Sequence, residues 1–96
     1  MQLIDLISGD KIKVTLTADI SELDITGLTA DSRDVRPGFL FAALPGLTVD
    51  GRNYISTAIE KGAAAVLAPD DTDPPDGAAL IKAADARATL AHMAAA

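Results

Sequence analysis

Phe39-Leu40-Phe41-Ala42-Ala43-Leu44 is apolar at every position and is bracketed by Pro37-Gly38 and Pro45-Gly46. A strand with one wet face alternates polar and apolar residues. A short unbroken apolar run cut off by turn residues at both ends suits a strand covered on both faces. Such a strand needs neighbours to pair with and layers above and below it. The turn before it has its own chemistry: Pro37 pre-sets φ at the second position and Gly38 tolerates positive φ at the third.

The segments around this run supply the other layers. Ala63 to Ala68 is a second apolar strand of small residues, closed by Pro69. Between the two runs, Asp50-Gly51 signals a turn. Asn53 is placed to N-cap a helix whose Tyr54, Ile55, Ala58 and Ile59 form one apolar face directed at the core, and Gly62 stands where a left-handed cap is expected. Ile25 to Ala30 and Ala79 to Lys82 are further strand candidates. Asp85 caps a last, Ala-rich helix through Ala96 with Leu90 and Met93 on one side. Near the amino terminus, Leu3, Ile4, Leu6 and Ile7 suit a short helix stopped at Ser8-Gly9. Ile12, Val14 and Leu16 alternate with polar residues as a strand with one wet face does. Residues 19–24 and 70–77 are acidic and read as loops or short turns. Strand, helix, strand, then strand, helix predicts an α/β fold: a small three-layer domain with a largely parallel or mixed sheet flanked by helices. The pattern leaves the strand order open. The unit from Phe39 to Ala68 should cross over right-handed.

Size and charge narrow the function classes. The 96 residues make one domain, 1–96, and 49% of them are hydrophobic, enough for a core without cross-links. There is no Cys, so a disulfide, a thiolate metal site and a Cys nucleophile are all excluded. Eight basic residues against fourteen acidic ones leave a net charge of −6, with no basic patch to meet a phosphate backbone, which argues against nucleic acid. The amino terminus lacks a basic segment and a long apolar stretch, and nothing approaches the roughly 20 apolar residues of a membrane span. A cytoplasmic protein with no membrane partner is expected. Neither a GxxxxGKS or GxxxxGKT loop nor a GxGxxG turn occurs. The single His, His92, stands on the Ala-rich helix without a nucleophile and acid to orient it, so no catalytic residue and no metal ligand is assigned. The final helix has no Gly or Pro stop and the chain ends in Ala-Ala-Ala, which reads as a cut within a longer protein.

What remains is a binding lip. Ser32 follows a strand candidate and precedes a turn, so its hydroxyl can face a cleft at a strand end, where open α/β sheets bind ligands. Gly46-Leu47-Thr48-Val49 follows the carboxyl end of the apolar strand. Gly46 permits close backbone approach, and Thr48 and the backbone N–H groups add donors without charge. Such donors suit a polar ring edge or a diphosphate. Plainer roles fit the same residues: Ser32 as a turn or cap residue, Arg33 as the local ion-pair partner of Asp31 or Asp34, Asp50-Gly51 as a structural turn.

Residues 25 to 68 resemble the N-terminal domain of the Mur ligases, the ATP-dependent enzymes that add amino acids to the peptidoglycan precursor. The resemblance rests on Asp31-Ser32-Arg33, Pro37-Gly38, Leu40-Phe41, Ala43, Gly46, Asp50-Gly51, Tyr54, Ala58 and Gly62-Ala63, in order and at the family's spacing. The Leu-Ile-Asp-Leu-Ile start and the Leu44-Pro45-Gly46 phrase look most like the members that add the third peptide residue, diaminopimelate or lysine. The members that add D-alanyl-D-alanine come next. The resemblance implies that this domain holds the UDP end of a UDP-N-acetylmuramoyl-peptide. ATP and Mg²⁺ would belong to a central domain, and the incoming amino acid to a C-terminal one, both beyond Ala96. Carried over by position, Ala30 and Ser32 would contact uridine, and Leu47, Thr48 and Val49 would line the uracil and diphosphate site. Many relatives have His where this chain has Leu47, so a side-chain contact of that His is lost. The fragment alone would hold no cofactor and catalyse nothing. The competing reading is a stand-alone interaction domain that offers the apolar side of its last helix to a protein partner. A self-sufficient hydrolase has no paired-carboxylate spacing to support it.

Overall fold

A computed structural model of the chain describes residues 15–16, 23–44, 51–70, 72 and 78–95. The expected helix at 3–7, most of the strand expected at 12–16 and the segment 45–50 lie outside the described residues. Five strands form one sheet: β1 (Thr15–Leu16), β2 (Gly27–Thr29), β3 (Phe39–Ala42), β4 (Ala65–Pro69) and β5 (Ala79–Ala83). Their order across the sheet is β1-β5-β4-β3-β2. Strands β2 to β5 are mutually parallel, with Leu28 opposite Leu40, Phe41 opposite Val66 and Val66 opposite Leu80. β1 is antiparallel to β5, Thr15 opposite Lys82, so the sheet is mixed, as the sequence allows.

The side-chain period of two sends alternate residues to two separate cores. Leu40 and Ala42 of β3, Ala65 and Leu67 of β4, and Ile81 and Ala83 of β5 pack on one face with Ile25, Ala86 and Met93. Phe41 and Ala43, Val66 and Ala68, and Leu80 pack on the other with Val35, Ile55 and Ala58. The helix Ala86–Ala95 (α2) closes the first face and the helix Ile55–Glu60 (α1) the second, which gives the three expected layers. Phe41, Leu40, Leu67, Leu80, Ile81 and Val66 are fully buried. Each contributes about 1.5–3 kcal/mol relative to an exposed side chain.

The ends of the elements follow the local chemistry closely. The Phe39 N–H donates to the Arg36 carbonyl at 3.1 Å, closing a turn with Pro37 second and Gly38 third at φ +88°. After α1, the Gly62 N–H bonds the Ile59 carbonyl and the Ala63 N–H bonds the Ala58 carbonyl, both at 3.0 Å. With Gly62 at φ +103°, this pair of bonds is the Schellman ending. Asp85 caps α2: its Oδ1 accepts the Ala88 N–H at 3.0 Å. The two glycine turns also meet, because the Gly38 N–H donates to the Gly62 carbonyl at 3.0 Å.

Two expectations are corrected. Asn53 does not cap the helix; it lies inside a 3₁₀ turn, Gly51–Tyr54, and α1 begins at Ile55 with Tyr54 at the cap position. Tyr54 is not core. It is 41% exposed, whereas Ile55 and Ala58 are buried and Ile59 partly so. The extra turn shifts the helix start by one residue, so the inward face is i, i+3, i+4 from Ile55 and Tyr54 falls outside it.

Gly62 has no room for a side chain. A Cβ there would stand 2.8 Å from Pro37 Cα, at a φ that L-residues rarely adopt. Gly62→Ala should therefore destabilise the domain by about 1–3 kcal/mol. The urea midpoint measures it, and an unchanged midpoint would refute the lock between the two turns.

Candidate functional site

The chain leaves β2 through a short polar turn held by local hydrogen bonds among the described residues. The Asp31 N–H donates to the Thr29 hydroxyl at 3.1 Å. Asp31 then caps the 3₁₀ turn Ser32–Asp34: its Oδ1 accepts the Arg33 N–H at 2.9 Å, and its carbonyl accepts the Asp34 N–H at 3.0 Å. The Arg33 guanidinium folds back on the same carboxylate, with Nη2 2.8 Å from Oδ2 and Nε 3.1 Å from Oδ1. Ser32 is held inside this double clasp.

The turn forms one wall of a cleft of about 470 Å³. Ala30, Asp31, Ser32 and Arg33 line that side, Phe41 and Leu44 come from β3 and its carboxyl end, and Tyr54 comes from the start of α1. The cleft thus lies beyond the carboxyl ends of two parallel strands, the side on which open α/β sheets bind ligands. It is of the size that takes small molecules, and it mixes an apolar floor with a hydroxyl and peptide groups.

Among the described lining residues, one carboxylate and one guanidinium neutralise each other. The hydrogen bonds from the Arg33 side chain, then from its backbone N–H, hold the Asp31 carboxyl down from its ordinary 3.8 to about 2. The same contact pushes the Arg33 guanidinium further up. The reading of Arg33 as a local ion-pair partner is correct, and the partner is Asp31.

Of the site residues expected from the sequence, Ala30 and Ser32 stand together on the cleft wall. Leu47, Thr48 and Val49 lie outside the described residues. Asp31, Arg33, Phe41, Leu44 and Tyr54 were not expected in the site. Arg33 was hidden by its ion pair, Phe41 by its apolar run, and Tyr54 by a helical phase one residue too early. The Pro-Gly break after Leu44 was the available signal for a strand end opening onto a site. Among the described residues no three His, Cys, Asp or Glu side chains come together as a metal cluster. Among the same residues no helix is long and apolar enough to cross a membrane.

Fold and cleft together define a small α/β domain with a cleft of ligand size at its strand ends. The profile described as the Mur ligase family, catalytic domain, matches residues 24–96. The chain is 51% identical over 72 residues to the UDP-N-acetylmuramoyl-L-alanyl-D-glutamate–2,6-diaminopimelate ligase of Caulobacter vibrioides, covering 75% of this chain and 15% of that protein. The protein of the same name from Rhizobium meliloti is 38% identical over 96 residues, covering 98% of this chain and 20% of that one. In fold, the UDP-N-acetylmuramoylalanyl-D-glutamyl-2,6-diaminopimelate–D-alanyl-D-alanyl ligase from Acinetobacter baumannii matches with a TM-score of 0.73, at 23% identity, over 95% of this chain and 19% of that one. This chain belongs to the Mur ligase family. It spans one fifth or less of the length of these relatives.

The Asp31 clasp has a pH signature. Its folded value is depressed, so the stability it contributes is complete above 3.8 and is lost as the pH falls from 3.8 through about 2. A ¹³C titration of the Asp31 carboxyl should show a midpoint near 2, and Arg33→Ala should move it up towards 3.8. A midpoint already at 3.8 in the unaltered protein would rule the clasp out.

Proposed function

We propose that residues 1–96 are the N-terminal domain of a longer cytoplasmic, ATP-dependent, amide-forming ligase of peptidoglycan synthesis. In this reading the cleft holds the UDP end of a UDP-N-acetylmuramoyl-dipeptide, and the enzyme adds the third residue, diaminopimelate or lysine. The observation that carries it is the position of Ala30 and Ser32 on one wall of the cleft at the carboxyl ends of β2 and β3. The 51% and 38% identity to two ligases named for 2,6-diaminopimelate favours that amino acid. The likeness to the D-alanyl-D-alanyl ligase, at 23% identity, leans toward the alternative that this is the first domain of such a ligase, and is the weaker of the two. The stand-alone interaction reading loses its main support, since the apolar side of α2 is used internally: Ala86 and Met93 are buried against the sheet.

The chemistry asked of the cleft is recognition alone. The Ser32 hydroxyl and the peptide groups of the 30–32 turn would meet polar edges of the uridine. Phe41 and Leu44 would exclude water beneath it. Leu47, Thr48 and Val49 would complete the uracil and diphosphate contacts, largely through backbone and hydroxyl. Among the described lining residues, the Asp31–Arg33 clasp leaves no naked carboxylate to repel a diphosphate. ATP, Mg²⁺ and the amine donor would be handled by the rest of the longer chain.

The test uses the full-length protein. Ser32→Ala should raise KM for the UDP-linked substrate roughly 2- to 12-fold, the worth of one neutral hydrogen bond, with kcat little changed. Amide shifts on titration should gather at Ser32 and 47–49 with UDP and be absent there with ATP. An unchanged KM would remove Ser32 from the site, and the absence of any UDP-induced shift would refute the uridine site as a whole.

A further inference from the structure

We infer that Tyr54 is the stacking wall of the cleft: its ring packs against the planar base of the ligand and lets the site distinguish a flat ring from a puckered one. The inference rests on the uridine reading of the cleft and adds to it a residue for the base itself. Three aromatic residues occur in the chain: Phe39, Phe41 and Tyr54. The Phe39 ring covers Gly27, so closely that a Cβ on that glycine would stand 2.6 Å from it. Phe41 lies in the cleft floor and is fully buried. Tyr54 alone among the described large hydrophobic residues is exposed, at 41%, and it lines the cleft.

Its place in the backbone is independent support. Tyr54 occupies the cap position of α1, at φ −106° and ψ 6°, and its side chain makes no capping bond. Ser, Thr, Asp or Asn would satisfy an N–H there, and a tyrosine does not. A residue that serves neither cap nor core, and whose ring opens onto a ligand-sized space, is a local conflict of the kind that marks a functional position. The Ala30–Arg33 turn lines the same cleft, with small Ala30 and Ser32. A flat ring entering the cleft would be met by an aromatic face and by hydroxyl and peptide groups. That pairing fixes both the plane and the edge of a base.

The experiment compares equilibrium binding of UDP and 5,6-dihydro-UDP, whose saturated ring is puckered, to the full-length protein and to Tyr54→Phe and Tyr54→Leu. Base stacking on an aromatic ring is expected to give the unaltered protein a preference for UDP and to make Tyr54→Leu bind UDP roughly 5- to 150-fold more weakly. Tyr54→Phe should keep the preference, and Tyr54→Leu should bind both ligands alike. Equal binding of the two ligands by the unaltered protein overturns the inference without need of any variant. So does a Tyr54→Leu protein that retains the preference. If the unaltered protein binds neither ligand, it is the uridine reading that fails, and this inference fails with it.

Discussion

β3 and β4 are buried on both faces, and the rest of the domain is arranged around that condition. Leu40, Phe41, Ala42 and Ala43 are each fully buried, as are Ala65, Val66, Leu67 and Ala68, and successive side chains enter opposite cores. No polar side chain can stand within these strands without losing its water, at a cost of roughly 1–3 kcal/mol or more if unpaired. Polar chemistry is therefore displaced to the strand ends. At the amino ends the two glycine turns are bound to each other through Gly38 and Gly62. That leaves the carboxyl ends as the side where the backbone is open, and the cleft is found there.

This logic explains which parts of the fold were legible in the sequence. An apolar run between two Pro-Gly pairs admits few interpretations, and β3 lies within the expected segment. Gly62 and Asp85 act through one or two backbone bonds each, so their roles could be read without any tertiary context. Tyr54 failed for a related reason. Apolar periodicity assigns a phase to a helix but not its first residue, and an Asn at a plausible cap position drew the start one residue too early. The 3₁₀ turn Gly51–Tyr54 that precedes α1 carries no signal in the local apolar pattern. The strand order was open because parallel pairing depends on which edges remain free once the helices are in place. The sequence has no local term for that.

The site was legible at Ala30 and Ser32 through the resemblance, and at Ser32 also through the rule that α/β sheets bind at strand ends. The ion pair of Arg33 was foreseen, but its place on the cleft wall was not. A chain with a net charge of −6 is a poor host for an anion at long range. At ordinary ionic strength, however, charges more than about 8–10 Å away are largely screened, and the nearest groups decide. Among the described residues that line the cleft, the charges are Asp31 and Arg33, tied by three side-chain contacts of 2.8–3.2 Å. As an exposed ion pair the contact contributes little to stability. Its effect on the cleft is larger, because it converts a wall that would carry a free carboxylate into a neutral one and fixes the turn that presents Ser32.

On the proposed reading, this domain touches its substrate far from the carboxylate that reacts. Contacts made there are the same in the ground state and the transition state unless they position the distant end. Taken alone they lower KM and leave kcat unchanged. Their kinetic value arises only if the bound nucleotide is held rigidly enough to fix the reacting end within the rest of the enzyme. A clasped 3₁₀ turn and a fixed aromatic ring suit that requirement better than a flexible loop would. The turn follows β2, paired to β3, and the ring stands just before α1, whose Ile55 and Ala58 are buried. Rigidity at the nucleotide end is thus a direct consequence of the double burial of β3. The same apolar residues that leave the strand no chemistry of its own make its carboxyl end a firm support for someone else's.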